Sequence, residues 1–122
     1  MPLLDGAEPM TVEGNDTGIL LVHGFTGTPQ GMRPWAEYLA QAGYTVSVPR
    51  LPGHGTTLAE CNRTTYSDWY AEVCRAFDAL RDTCERVFVF GFSMGGTLTL
   101  RLAEERGDQI TGVVLLNPSV YT

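Results

Sequence analysis

The 122-residue chain is 43% apolar, 18% charged and 10% aromatic, proportions of a single globular domain and too apolar for a disordered segment. Its formal charge is −6, and all eight basic residues are arginines, with no basic cluster to neutralise a run of phosphates or dock on an anionic membrane. Nucleic acid and stable membrane anchoring are therefore not expected among its partners. The longest apolar runs are about five residues, far short of a spanning helix. Residues 1–10 carry two acids, no base and no apolar core of a secretory signal, so a cytoplasmic location is expected. Cys61, Cys74 and Cys84 form no C-x-x-C pair, and His23 and His54 add no metal-ligand spacing. Free thiols and no metal are expected, with a Cys74–Cys84 disulfide as the alternative to free thiols.

Residues 1–16 read as a loose lead-in rich in glycine and acids, and 17–122 as the domain. Gly18–His23 is a continuous apolar run, as a strand buried on both faces should be. From Thr28, a candidate cap followed by Pro29, the positions Met32, Trp35, Leu39 and Ala42 recur at helical steps until Gly43, a left-handed stop. Tyr44–Val48 is a second strand. A loop from Arg50 to about Thr65 holds Pro52-Gly-His-Gly55. Thr65 then caps a helix whose Trp69, Val73, Phe77 and Leu80 share one face, so both tryptophans are expected in the core. Val87–Phe90 is a third strand, Met94 to about Arg106 a helix, and Ile110–Leu116 a fourth strand stopped by Asn117-Pro118. Strands alternating with crossover helices predict an α/β fold with a mostly parallel sheet of about four strands. The last strand is apolar along its length. As an outer strand it would expose an unpaired edge, which points to a chain that continues beyond this sequence or to an edge covered by a partner or by the lead-in segment.

Gly91-Phe-Ser-Met-Gly95 follows a strand directly and opens a helix, the context that a G-x-S-x-G nucleophile elbow requires. A sharp turn there presents the Ser93 hydroxyl above the sheet. Gly91, Gly95 and Gly96 let strand and helix approach closely, and the helix directs free N–H groups at developing negative charge. The bland alternative is a glycine-rich turn with an incidental serine. No G-K-[ST] follows, so a phosphate loop is set aside.

His23-Gly24-Phe25 ends the first strand and runs into a turn through Gly27. In an open parallel sheet, ligands gather beyond the carboxyl ends of the strands where the strand order reverses. If the second and third strands flank the first, this turn and Ser93 face one crevice. The amides of Phe25 and Met94 could then serve as a two-donor oxyanion hole, each donor contributing about 3 kcal/mol to the transition state. Taken alone, His23-Gly24 is a strand-end turn with a structural imidazole. Phe25 and Phe92 sit beside the crevice, Phe25 as candidate pocket lining and Phe92 as packing.

The strand ending His23-Gly-Phe25, the loop Pro52-Gly-His-Gly55 and Gly91-Phe-Ser-Met-Gly-Gly96 together resemble the α/β-hydrolase superfamily, and within it the bacterial carboxylesterase and monoacylglycerol lipase group. The resemblance runs from Gly18 to Pro118. It implies Ser93 as nucleophile, the Phe25 and Met94 amides as oxyanion donors, His54 as a structural residue, no cofactor, and a small ester with an apolar acyl group as substrate. In that family the acid and the base come after the nucleophile. Here no histidine follows Ser93, so the catalytic Asp and His, the C-terminal strands and the lid are expected to lie outside these residues. The chain by itself is expected to be inactive or nearly so. Another serine hydrolase (a thioesterase, acyltransferase or carbon–carbon hydrolase) and a non-catalytic pseudoenzyme remain as alternatives.

Overall fold

The computed structural model describes residues 9–23, 32–50, 66–92 and 94–116. They form one five-stranded sheet in the order β1-β3-β2-β4-β5. The strands are β1 (Met10–Val12), β2 (Thr17–Val22), β3 (Thr45–Val48), β4 (Arg86–Phe92) and β5 (Gly112–Leu116). The helices are α1 (Arg33–Gln41), α2 (Tyr66–Thr83) and α3 (Met94–Arg106), the last followed by a 3-10 turn at Gly107–Gln109. The architecture is α/β and mostly parallel: β3 and β4 flank β2, and β5 follows β4, all in parallel register.

Every residue of β2 is buried. Its alternating side chains supply two separate cores, because successive residues of a strand point to opposite faces. Leu20 and Val22 meet α2 and α3 through Trp69, Val73, Phe77, Leu98 and Leu102, together with Val87 and Val89 of β4. Ile19 and Leu21 meet Ala36 of α1 and Val46 and Val48 of β3, with Phe88, Phe90 and Phe92 half-buried beside them. Leu39, Tyr44, Phe88, Phe90 and Val114 line an open groove of about 330 Å³ on this second face.

Two features depart from the sequence expectation. Within the segment read as a loose lead-in, Met10–Val12 pairs antiparallel with β3 and makes a fifth strand. Three residues are too few to show a periodicity. Hydrogen bonds from the neighbouring Gly14 and Asn15 anchor the strand: Gly14 N–H donates to Thr45 Oγ1 at 2.8 Å, Thr45 Oγ1 donates to the Asn15 carbonyl at 2.7 Å, and Asn15 N–H donates to the Gly43 carbonyl at 2.8 Å. Trp35 is the second departure. It is 46% exposed rather than in the core, while Trp69 is buried as expected. Ala36 takes the inward position on α1 with no exposed surface, flanked by half-buried Met32, Leu39 and Ala40, so the buried stripe is rotated by one residue. Its small side chain lets the helix lie close on the sheet. Trp35 is left at the flank, edge-on to Phe92 with ring centroids 5.8 Å apart.

Other expectations hold. Gly43 adopts φ 102°, the left-handed conformation that stops α1, and its N–H donates to the Ala40 carbonyl at 3.0 Å. Cys74 and Cys84 are free thiols. β5 lies at the end of the strand order, with Val113 and Val114 exposed at 41% and 39%. Cys61, the candidate caps Thr28 and Thr65, and the Pro52–Gly55 loop lie outside the described residues. Among the described residues, no helix is long and apolar enough to cross a membrane.

Candidate active site

The strand order creates the reversal that the proposed crevice requires. In the strand order β3 lies on one side of β2, and β4 followed by β5 on the other, so the order reverses between β2 and β4. β2 and β4 finish in register, with Val22 opposite Gly91. His23, at the end of β2, is buried with 1% of its surface exposed. β4 ends at Phe92 and α3 begins at Met94, on either side of position 93. Ser93, Gly24, Phe25 and His54 themselves lie outside the described residues, whereas Gly91, Gly95, Gly96 and the backbone of Met94 lie within them.

The glycines hold the first turn of α3 against both strands. A Cβ on Gly95 would stand 2.6 Å from the His23 carbonyl oxygen, 2.8 Å from the Val22 carbonyl carbon and closer still to the Val22 oxygen. A Cβ on Gly91 would meet Thr99 Oγ1 at 2.5 Å, Gly96 Cα at 2.6 Å and the Gly95 oxygen at 2.7 Å. The crowding groups are nearly all backbone, so only glycine permits this approach. The consequence is electrostatic: the N-terminus of a 13-residue helix, with N–H groups that have no acceptor inside the helix, is brought to the carboxyl ends of β2 and β4.

Thr99 is the residue that pattern reading missed. It is fully buried, and its hydroxyl donates to the Gly95 carbonyl at 2.8 Å. The available signal is a threonine four residues after a glycine of the motif, inside an otherwise apolar helix face. Charged groups with shifted titration lie elsewhere, on the flank where α2 meets α3. Burial pushes the Tyr70 hydroxyl well above its usual value, and hydrogen bonds with Cys74 and Glu105 act in the same direction. Its ring lies under the Arg101 guanidinium, 4.1 Å from the centroid. Arg101 in turn holds the Glu105 carboxyl below the usual range. Among the described residues, no group of three or more His, Cys, Asp or Glu is placed to hold a metal ion.

A family model described as serine aminopeptidase, S33, matches residues 14–122. The chain belongs to this α/β-hydrolase family. Over 119 residues it is 55% identical to the thermostable monoacylglycerol lipase of Bacillus sp. (strain H-257), covering 98% of this chain and 47% of that one. Over 96 residues it is 35% identical to a carboxylesterase of Bacillus subtilis (strain 168), covering 78% of this chain and 39% of the other. Among solved structures, one reported for LipS and LipT, two metagenome-derived lipolytic enzymes, superposes with a TM-score of 0.94 at 46% identity, covering 97% of this chain and 48% of that one. This α/β-hydrolase chain thus spans less than half the length of these three relatives.

Proposed function

We propose that this chain carries the nucleophile and oxyanion hole of a serine carboxylic-ester hydrolase of the carboxylesterase or monoacylglycerol lipase type. The observation that supports it most is the seating of Gly95 on the Val22 and His23 carbonyls, which sets the strand–helix junction around position 93 at the carboxyl end of β2. In this reading Ser93 Oγ attacks the ester carbonyl carbon while its proton passes to a histidine base. The amides of Phe25 and Met94 receive the oxyanion. The tetrahedral intermediate collapses, and the alcohol leaves with the proton returned from the base. Water then attacks the acyl-enzyme and releases the acid.

In this reading neither histidine of this sequence is the base. His23 sits buried at the end of β2, with Gly95 packed on its carbonyl, and His54 precedes the nucleophile as well. A small ester with an apolar acyl group is the proposed substrate, in line with the lipase and carboxylesterase relatives. No organic cofactor or metal enters the scheme.

The test is hydrolysis of p-nitrophenyl butyrate by the protein expressed from its complete reading frame, with mass spectrometry of a fluorophosphonate adduct. The adduct is expected on Ser93, and Ser93→Ala is expected to lower kcat by about a thousandfold or more. An adduct elsewhere, or a Ser93→Ala variant with undiminished turnover, overturns the proposal. The 122-residue polypeptide alone is expected to show no Ser93-dependent turnover above background.

A further inference from the structure

Among the described residues, the buried polar side chains apart from the aromatic ones are Thr17, His23, Thr45 and Thr99. Thr17 and Thr45 begin their strands and lie at the far end of the sheet from Gly91. Thr99 is therefore, with His23, one of two buried polar side chains on the side where the candidate site forms. A valine would fill the same space without placing a hydroxyl in an apolar core, where an unbonded one costs about 1–3 kcal/mol. The hydroxyl is bonded, and its acceptor is the carbonyl between Gly95 and Gly96.

That peptide is in special need of restraint. Two consecutive glycines in the first helical turn leave the flanking peptide planes freer to rotate than any other pair of residues would. In a regular helix the Gly95 carbonyl accepts the N–H of residue 99. A second bond, from a hydroxyl at that same residue, pulls the carbonyl towards the sheet and tilts its peptide plane. The Gly96 N–H lies on the opposite edge of that plane, so its direction is set at the same time. The Thr99 oxygen also lies where a Gly91 side chain would be, which ties the helix to β4 at the residue paired with Val22. One hydroxyl thus couples the strand end, the glycine pair and the amides of the first turn.

We propose that Thr99 is a positioning residue for acyl transfer: its hydroxyl fixes the Gly95–Gly96 peptide in the first turn of α3, and so the seat of the helix start whose Met94 amide is read as an oxyanion donor. The proposal rests on the reading of Ser93 as nucleophile. It predicts an effect on the transition state more than on substrate binding. The loss is smaller than the hundred- to thousandfold that accompanies deletion of a whole oxyanion donor.

The experiment uses the protein expressed from its complete reading frame, with Thr99→Val, Thr99→Ala and Thr99→Ser. Active sites are counted by fluorophosphonate titration, so that misfolded molecules do not enter the rate. Expected for Thr99→Val and Thr99→Ala is a fall of about tenfold in kcat per titrated site with KM within about twofold, with Thr99→Ser close to the parent. Affinity for an alkylboronic acid, which mimics the tetrahedral intermediate, is expected to fall in step with kcat. Thr99→Val that melts earlier but keeps its kcat and boronic acid affinity overturns the proposal, as does Thr99→Ser behaving like Thr99→Val. If Thr99→Val does not fold, the Thr99→Ser and Thr99→Ala pair carries the comparison. Failure of the nucleophile reading is separately visible, because Ser93→Ala would then match the parent in turnover and in titration, and the Thr99 proposal would fall with it.

Discussion

Gly95→Ala tests the central packing argument through the sign of its effect. On helix propensity alone, alanine in place of glycine within a helix stabilises by about 1 kcal/mol. The contact argument predicts the opposite. The new methyl group would stand 2.6 Å from the His23 carbonyl oxygen and closer still to that of Val22, where ordinary contact begins at 3.4 Å, so α3 must retreat by at least about 0.8 Å. The obstructing atoms are backbone of the innermost strand, with β3 on one side and β4 on the other, and no side-chain rotation relieves them. Overpacking of this kind costs about 1–3 kcal/mol. We therefore expect a net destabilisation of up to about 2 kcal/mol once the propensity gain of about 1 kcal/mol is offset, read as a lower urea midpoint at unchanged slope. Misplacement of reacting groups by about 1 Å lowers rates by about a hundredfold, so kcat should fall by that order. Gly107→Ala is the control, since nothing lies within 4 Å of its added Cβ, and it should leave both midpoint and rate nearly unchanged. A Gly95→Ala variant more stable than the parent, with full activity, would refute the claim that strand–helix approach is what demands glycine here.

The two cores should differ from the helix flank in their tolerance of truncation. Phe77→Ala, at a fully buried position between α2 and the sheet, is expected to cost about 3–5 kcal/mol, whereas Trp35→Ala, at a half-exposed site, should cost about 1 kcal/mol; urea titration of both variants compares them. Tyr70 gives a pH signature. Its folded form binds the phenolic proton more tightly than the unfolded chain, so its contribution is full below pH 10.0 and is lost as the pH rises beyond it. Tyr70→Phe should flatten the decline of the urea midpoint above about pH 10, and an unchanged slope there would contradict the assignment. The exposed apolar valines of β5 make the 122-residue polypeptide prone to self-association. Val113→Lys should shift its size-exclusion profile towards monomer; a monodisperse, cooperatively melting parent chain would sink the open-edge argument.

Much of this molecule is legible in one dimension because its signals are local. The apolar run at 18–23, the helical spacing of Trp69, Val73, Phe77 and Leu80, and the left-handed stop at Gly43 all arise from neighbours within a few residues. Trp35 departs from its pattern for the same reason. Its spacing fits a buried stripe as well as Ala36 does, and only the closeness of α1 to the sheet selects the smaller side chain. Thr99 carries no signal on its own, since its hydroxyl acquires meaning from a carbonyl four residues back and a strand glycine packed against it.

Sequence alone determined the α/β class, the order of the elements and the strand–glycine–serine–glycine–helix spacing, because backbone propensity and side-chain period are short-range properties. Tertiary structure alone decided that β3 and β4 flank β2, that Met10–Val12 closes the far side of β3, and that Gly95 rests on the Val22 and His23 carbonyls. Those are contacts between residues tens of positions apart. Their free energy comes from burying faces against each other, and no local pattern records which face meets which.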